Sequence, residues 1–245
     1  MPGRAASVVP RGSRSLTITI VDPTQASMQG SPQAVGVLML ATRFPRIAGD
    51  IGHVASLPFA ARLRVVAGAS PQRVVRERDP ALLQPFIDAA RALVDEGATA
   101  ITTSCGFLVL FQEALQAALP VPVWTSSLLL LPELQRVAPA GIVTVDAAAL
   151  GADHLRAAGA RSDTPIEGLE PGCAFQRTLL NDEAELDVAE ARAATVAAAR
   201  RLVARHPQIE TIVLECTNMP PYADAVRAAT GRAVRHLVSL LVQRL

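Results

Sequence analysis

The chain has 245 residues and carries 23 basic against 22 acidic side chains, a net charge of +1. All 23 basic residues are arginine, which excludes a pyridoxal Schiff base, a Schiff-base aldolase and the lysine of a phosphate-binding loop. Near-neutral charge argues against nucleic acid as a partner, since such binders displace counterions with a basic surface. Apolar residues make up 50%, aromatics only 3%, and 44 residues are alanine, so the core is aliphatic and suits close helix packing on a sheet.

Residues 1–33 hold Arg4, Arg11 and Arg14 with one acid, Asp22, among Ser, Pro and Gly; a flexible tail with a short strand at 16–21 is expected. From residue 34, strand-like and helix-like segments alternate. Short apolar runs at 34–40, 62–68, 98–104 and 121–126 predict strands, and 80–97 and 106–119 predict helices. In 80–97 the residues Leu83, Phe86, Ile87, Ala90 and Leu93 share a face, and Gly97 supplies the stop. The plan then repeats: strands at 140–145, 164–169, 209–215 and 232–235, helices at 147–159, 184–205 and from about Pro221. Buried strands alternating with helices mean parallel sheets covered on both faces. No apolar run reaches the ~20 residues of a membrane span.

The repeat aligns on itself with an offset of 111 residues, which places Cys105 on Cys216, Ile101 on Ile212, Val123 on Val234 and Leu129 on Leu240. The expected architecture is two similar flavodoxin-like or Rossmann-like α/β lobes related by a pseudo-twofold axis. Residues 34–125 make the first lobe and 126–231 the second, with 232–245 packing back on the first. A cleft between such lobes is a usual small-molecule site.

Each matched cysteine follows a strand and precedes a helix, at the carboxyl end of its sheet, where ligands of open α/β folds bind. Helix N-terminal N–H groups are expected to lower the thiol pKa there. Two thiols facing each other suit stereoinversion, one removing a proton from carbon and the other returning one to the opposite face. Cys173 has no counterpart and is read as an incidental thiol in a Gly/Pro loop. Three widely spaced cysteines suggest neither a disulfide framework nor a metal site, and point to a reducing, cytoplasmic setting.

The segments ITTSCGF (101–107) and IVLECTNMPPY (212–222) resemble the two cysteine motifs of the aspartate/glutamate/hydantoin racemase superfamily. The resemblance covers about 35–245 and implies a duplicated α/β fold, no cofactor, and Cys105 and Cys216 as paired acid/base groups. It also implies that Thr217 helps to hold a substrate carboxylate. The first motif departs from the Cys-Asn-Thr of glutamate and aspartate racemases, because Gly106 and Phe107 follow Cys105. That departure argues against a substrate with a free α-amino group. The superfamily also contains cis–trans isomerases of unsaturated diacids and decarboxylases of malonates, some using one cysteine.

Other candidates cluster near the strand ends. Arg43 and Arg46 could clamp a carboxylate, and Asp50 and His53 could tune a thiol. Ser104, Gly106, Thr125 and Asn218 could meet substrate oxygens, with Thr103 and Ser126 divided between that role and helix capping. Tyr222 is expected to pack beside Pro220 and Pro221, His154 and His206 to be solvated, and His236 to border the cleft. Glu215, next to Cys216 on a strand, should point away from the sulfur. The leading reading is a cofactor-independent racemase or epimerase of a small carboxylate or cyclic amide, with no membrane partner and a homodimer as the base expectation. A one-cysteine isomerase or decarboxylase, and a non-catalytic ligand binder, are the alternatives.

Overall fold

The structure is a computed structural model that describes Gly3 and residues 34–245. The tail and strand expected within 1–33 otherwise lie outside the described residues. Strands β1 (Ala34–Met39), β2 (Ala60–Val65), β3 (Ala98–Thr103) and β4 (Val123–Trp124) form one sheet, ordered β2-β1-β3-β4 and parallel throughout. Strands β5 (Ala140–Thr144), β6 (Ile166–Gly168), β7 (Thr211–Leu214) and β8 (Ala233–Arg235) form a second parallel sheet, ordered β6-β5-β7-β8. The two orders are the same order. The register also repeats: Ile101 pairs with Val123 in the first sheet and Ile212 with Val234 in the second, at the offset that aligns the two cysteines. Two α/β lobes of common topology are therefore present.

Helices cover the sheets: α1 (Leu83–Asp95), α2 (Gln112–Ala118), α3 (Leu131–Val137), α4 (Ala152–Ala157), α5 (Ala174–Asn181), α6 (Val188–Arg205), α7 (Ala223–Thr230) and α8 (Leu237–Arg244). α6 starts where Asp187 accepts the N–H groups of Ala189 (2.9 Å) and Glu190 (3.0 Å), satisfying two orphan donors. Close approach is set by small residues. A Cβ on Gly36 of β1 would come within 2.7 Å of Ile101 Cδ1, and one on the matching Gly141 of β5 within 2.5 Å of Ile209 Cδ1.

Several elements differ from the sequence reading. The stretch 170–183 contains helix α5, with Cys173 at its N-cap and Phe175, Thr178, Leu179 and Leu180 buried. A helix of eight residues with polar Gln176, Arg177 and Asn181 carries too little periodicity to be read against a Pro-Gly start. Residues 106–111 form a 3-10 turn rather than the first turns of an α-helix. His154, expected in solvent, is fully buried against the edge of Phe107, and burial lowers its pKa to about 4. At the carboxyl terminus β8 stays in the second sheet beside β7, because its Val234 fills the register position opposite Ile212. Only α8 reaches the first lobe: Leu237, Leu240 and Leu241 pack with Val35, Val37 and Met39 of β1 and with Ile51. Leu240→Ala should cost about 2–5 kcal/mol through the cavity left there; urea unfolding should show a lower midpoint with the slope kept.

Candidate active site

β3 ends at Thr103, and the chain turns at Cys105 into the 3-10 turn Gly106–Phe111. Cys105 is extended and half-buried; the Leu108 N–H donates to its carbonyl at 3.1 Å, and the N–H groups of Phe107 and Leu108 favour its thiolate. β7 ends at Leu214, and Cys216 follows in the equivalent place, with the Asn218 N–H at its sulfur. The Cys216 thiol also donates to Asn218 Oδ1 at 3.6 Å. The two strand ends are tied across the lobes. Thr217 Oγ1 donates to the Ser104 carbonyl at 2.6 Å, and Ser127 Oγ donates to the Leu214 carbonyl at 2.8 Å. Ser104 Oγ in turn accepts the Leu40 N–H at 2.9 Å.

Both thiols line one tight pocket, together with Arg46, Glu215, Asn218 and Phe107. Ser104, Gly106 and Thr217 lie in the same wall, and Leu179 and Leu180 of α5 face them with Pro71 and Val75. A larger hollow of about 820 Å³ lies by Pro139, Ala140, Pro165 and Ile209, at the amino ends of the second-sheet strands. It holds no thiol and is the wrong end of a parallel sheet for a ligand site.

Seven sequence candidates thus meet: Cys105, Cys216, Ser104, Gly106, Thr217, Asn218 and Arg46. Three do not line the pocket. Arg43 is mostly exposed and is held by Asp182, through its backbone N–H to Oδ1 (2.6 Å) and Nε to Oδ2 (3.2 Å). Thr125 is fully buried, with N and Oγ1 both bonded to Gln112 Oε1, so it anchors α2 to β4. Asp50 sits behind the wall, accepting from Gly52 N (2.7 Å), Asn218 Nδ2 and Arg46 Nη1 (3.3 Å). Burial raises its pKa, opposed by the Arg46 charge. Arg46 is the arginine in the pocket; Nη2 donates to Thr42 Oγ1 (2.9 Å), and the guanidinium lies 4.6 Å from the Phe44 ring centroid. His236, expected at the cleft, caps α8 instead, its Nδ1 accepting the Ser239 N–H at 3.3 Å. Ser126 caps the turn that precedes α3. Tyr222 packs edge-on against Phe175 at 5.7 Å.

The electrostatics reverse one expectation and add one residue. Burial, with the Glu215 charge second, pushes the Cys105 thiol up to about 12, outweighing the two N–H groups and Arg46. The same two causes raise the Cys216 thiol well above its ordinary value. Both thiols are therefore protonated at neutral pH. Glu215 faces the pocket because β7 has already ended at Leu214, so the alternation of a strand no longer governs its side chain. It is fully buried; Oε2 accepts from Thr144 Oγ1 at 2.7 Å, and Oε1 has no hydrogen-bond partner among the described residues. Burial raises its pKa from 4.5 to about 7. Glu215 also explains the departure in the first cysteine motif. A Cβ at position 106 would lie 2.3 Å from Glu215 Oε1 and 2.5 Å from its carbonyl oxygen, so only glycine fits.

A dimethylsulfoniopropionate lyase from Durusdinium sp. clade D is 30% identical over 213 residues, covering 82% of this chain and 70% of that protein. The chain belongs to the dimethylsulfoniopropionate lyase family. Lyases 7 and 3 of this family from Emiliania huxleyi are 30% and 31% identical over 80% of the chain, which spans 62% and 55% of their lengths. No family model matches the chain. Among solved structures, an allantoin racemase from Klebsiella pneumoniae superposes with a TM-score of 0.62 at 15% identity, covering 86% of this chain and 85% of that one. A variant of arylmalonate decarboxylase in a sulfate-associated form gives 0.58 at 17%, covering 82% and 87%. These likenesses are of fold alone: both solved structures share the two-lobe α/β architecture described above. The relatives by sequence carry the name of a lyase, not of a racemase.

The raised carboxyl of Glu215 has a signed consequence for stability. Its contribution is fully present below the unfolded value of 4.5 and is lost as pH rises through the folded value of about 7. That loss is on the order of 3 kcal/mol. Glu215→Gln should remove this slope and be the more stable protein at pH 8, measured by urea unfolding across a pH series.

Proposed function

We propose that this protein is a lyase that eliminates dimethyl sulfide from dimethylsulfoniopropionate and leaves acrylate. The observation that carries the reading is a small pocket bearing two thiols and one arginine, in a chain whose sequence relatives are named for that substrate. The substrate has a carboxylate at one end and a sulfonium cation at the other. Arg46 supplies the fork for the carboxylate. Phe44, Phe107, Leu179 and Leu180 supply an apolar wall for the dimethylsulfonium, and the aromatic faces attract its charge.

Cys105 is the better base of the two. Both thiols face the Glu215 charge, but two N–H groups and Arg46 favour the Cys105 thiolate, whereas Cys216 has one N–H and also faces Cys105 and Asp50. A sulfonium seated beside the sulfur favours the thiolate further. The thiolate takes a proton from C2. The C2–H electron pair becomes the C2=C3 double bond, and the C3–S pair departs on sulfur as dimethyl sulfide. The negative charge that builds on the carboxylate as C2 loses its proton falls to Arg46 and nearby N–H groups.

Racemisation starts with the same proton removal next to a carboxylate and differs in where the electron pair goes. The second thiol on the same pocket favours that reading, because inversion needs a donor opposite the base. The single variants separate the two. For the lyase, Cys105→Ser should lower kcat by about 10²–10⁴-fold, while Cys216→Ser stays within about tenfold. Release of dimethyl sulfide into the headspace and acrylate by NMR are the readouts. Absence of both products from the wild-type protein, with inversion of a chiral α-substituted acid lost in each variant while one-sided α-deuterium exchange survives in a single variant, would favour inversion instead. Arg46→Lys should raise KM about tenfold with kcat changed less, since a point charge replaces a bidentate fork.

A further inference from the structure

The proton count of an elimination differs from that of an inversion. A racemase hands a proton from one thiol to the other and ends each turnover where it began. An elimination from a neutral zwitterion yields a neutral sulfide, the acrylate anion and one proton, which must leave the base before the next turnover. Cys105 is poorly placed to shed it, because its thiol is pushed up to about 12.

Glu215 lines the same pocket as that thiol, and one of its oxygens has no hydrogen-bond partner among the described residues. It is fully buried, it lines the pocket with both cysteines, and Oε1 is unpartnered and pressed against Gly106, the residue after Cys105. Its other oxygen is fixed by Thr144 from the end of β5. The groups facing it are Cys105 from the end of β3, Cys216 from the end of β7, and Arg46 with Asp50 behind it from the loop after β1. His154, beyond Phe107, is neutral at pH 7. No arginine forms an ion pair with Glu215 among the described residues, so nothing locks the carboxyl in its ionised form.

We propose that Glu215 is the proton acceptor for the site, receiving the Cys105 thiol proton onto Oε1 through an intervening water when substrate seats, since neither sulfur hydrogen-bonds that oxygen directly, and passing it to solvent by the same route once product has left. In that transfer the S–H bond breaks, an O–H bond forms, and one negative charge moves from the carboxylate to the sulfur beside the sulfonium. The neutral acid then no longer disfavours the thiolate. A group titrating at about 7 can release the proton again at neutral pH, which a thiol at about 12 cannot. The turnover arm of this proposal rests on the lyase reading; the thiol arm does not.

Glu215→Gln keeps the shape and the Thr144 contact but accepts no proton. Its kcat should fall at least about 30-fold with KM within about threefold, and the rise of kcat through pH 7 should disappear. Alkylation of Cys105 by iodoacetamide at pH 8, read by mass spectrometry in a Cys216→Ser background, should go at least about threefold faster, because a like charge is gone. A merely structural role would not move turnover and thiol reactivity in opposite directions. Thr144→Val should keep the plateau kcat and shift the acid limb to higher pH, since the hydroxyl favours the ionised form. Glu215→Asp should regain part of the lost rate. Thermal melts report that each variant is folded. A Glu215→Gln protein with wild-type kcat and acid limb would overturn the proposal. If the wild-type protein releases no dimethyl sulfide, the lyase reading fails and alkylation alone decides: faster in Glu215→Gln upholds the coupling, unchanged overturns it.

Discussion

The hydrogen bond from Thr217 Oγ1 to the Ser104 carbonyl joins the two halves of the site. Each thiol sits one or two residues past a strand, on backbone that belongs to a different sheet. Their spacing is thus a property of how one lobe meets the other. A bond between the residue before Cys105 and the residue after Cys216 fixes that meeting at the shortest possible range. Ser127 to Leu214 is a second tie, and Ser104 Oγ fastens the first strand end to β1. Everything chemical in the pocket follows from these neutral, buried hydroxyl contacts, which hold geometry without adding charge.

Duplication made much of this legible in sequence. Two strand patterns of the same order, ending in matched cysteines, were enough for the lobes, the sheet type and the cleft, and the ladder register repeats at that same offset. Six site residues could be named because they adjoin the cysteines. What failed was of two kinds. Arg43 and Thr125 were chosen by type and neighbourhood, but Asp182 and Gln112 satisfy them, and both partners are distant in sequence. Glu215 was assigned the wrong face because strand alternation was carried one residue past the strand. A signal for it did exist: Gly106 stands where related enzymes carry a side chain, and an unusual glycine asks what occupies the space.

Charge in this pocket is scarce and unevenly shared. One arginine, one raised carboxyl and two protonated thiols face one tight pocket, with a second carboxylate held behind the wall by Arg46 and Asn218. Burial dominates each ionisable group, so the resting state is close to neutral and ionisation waits for a ligand. Such a site discriminates by charge pattern: a molecule carrying both signs can bind with its anion on Arg46 and its cation by the thiols, whereas a simple dianion would set a second negative charge against Glu215.

The contact between Gly106 and Glu215 has a further meaning for how such a sequence can change. Any side chain at 106 collides with the acid at 215, and shortening that acid opens a hole beside the thiols. Position 106 cannot take a side chain while the acid at 215 keeps its place, although the two lie in separate halves of the chain. The residue after the first cysteine and the residue before the second are thus one steric unit: a side chain gained at 106 requires the acid at 215 to move or be replaced.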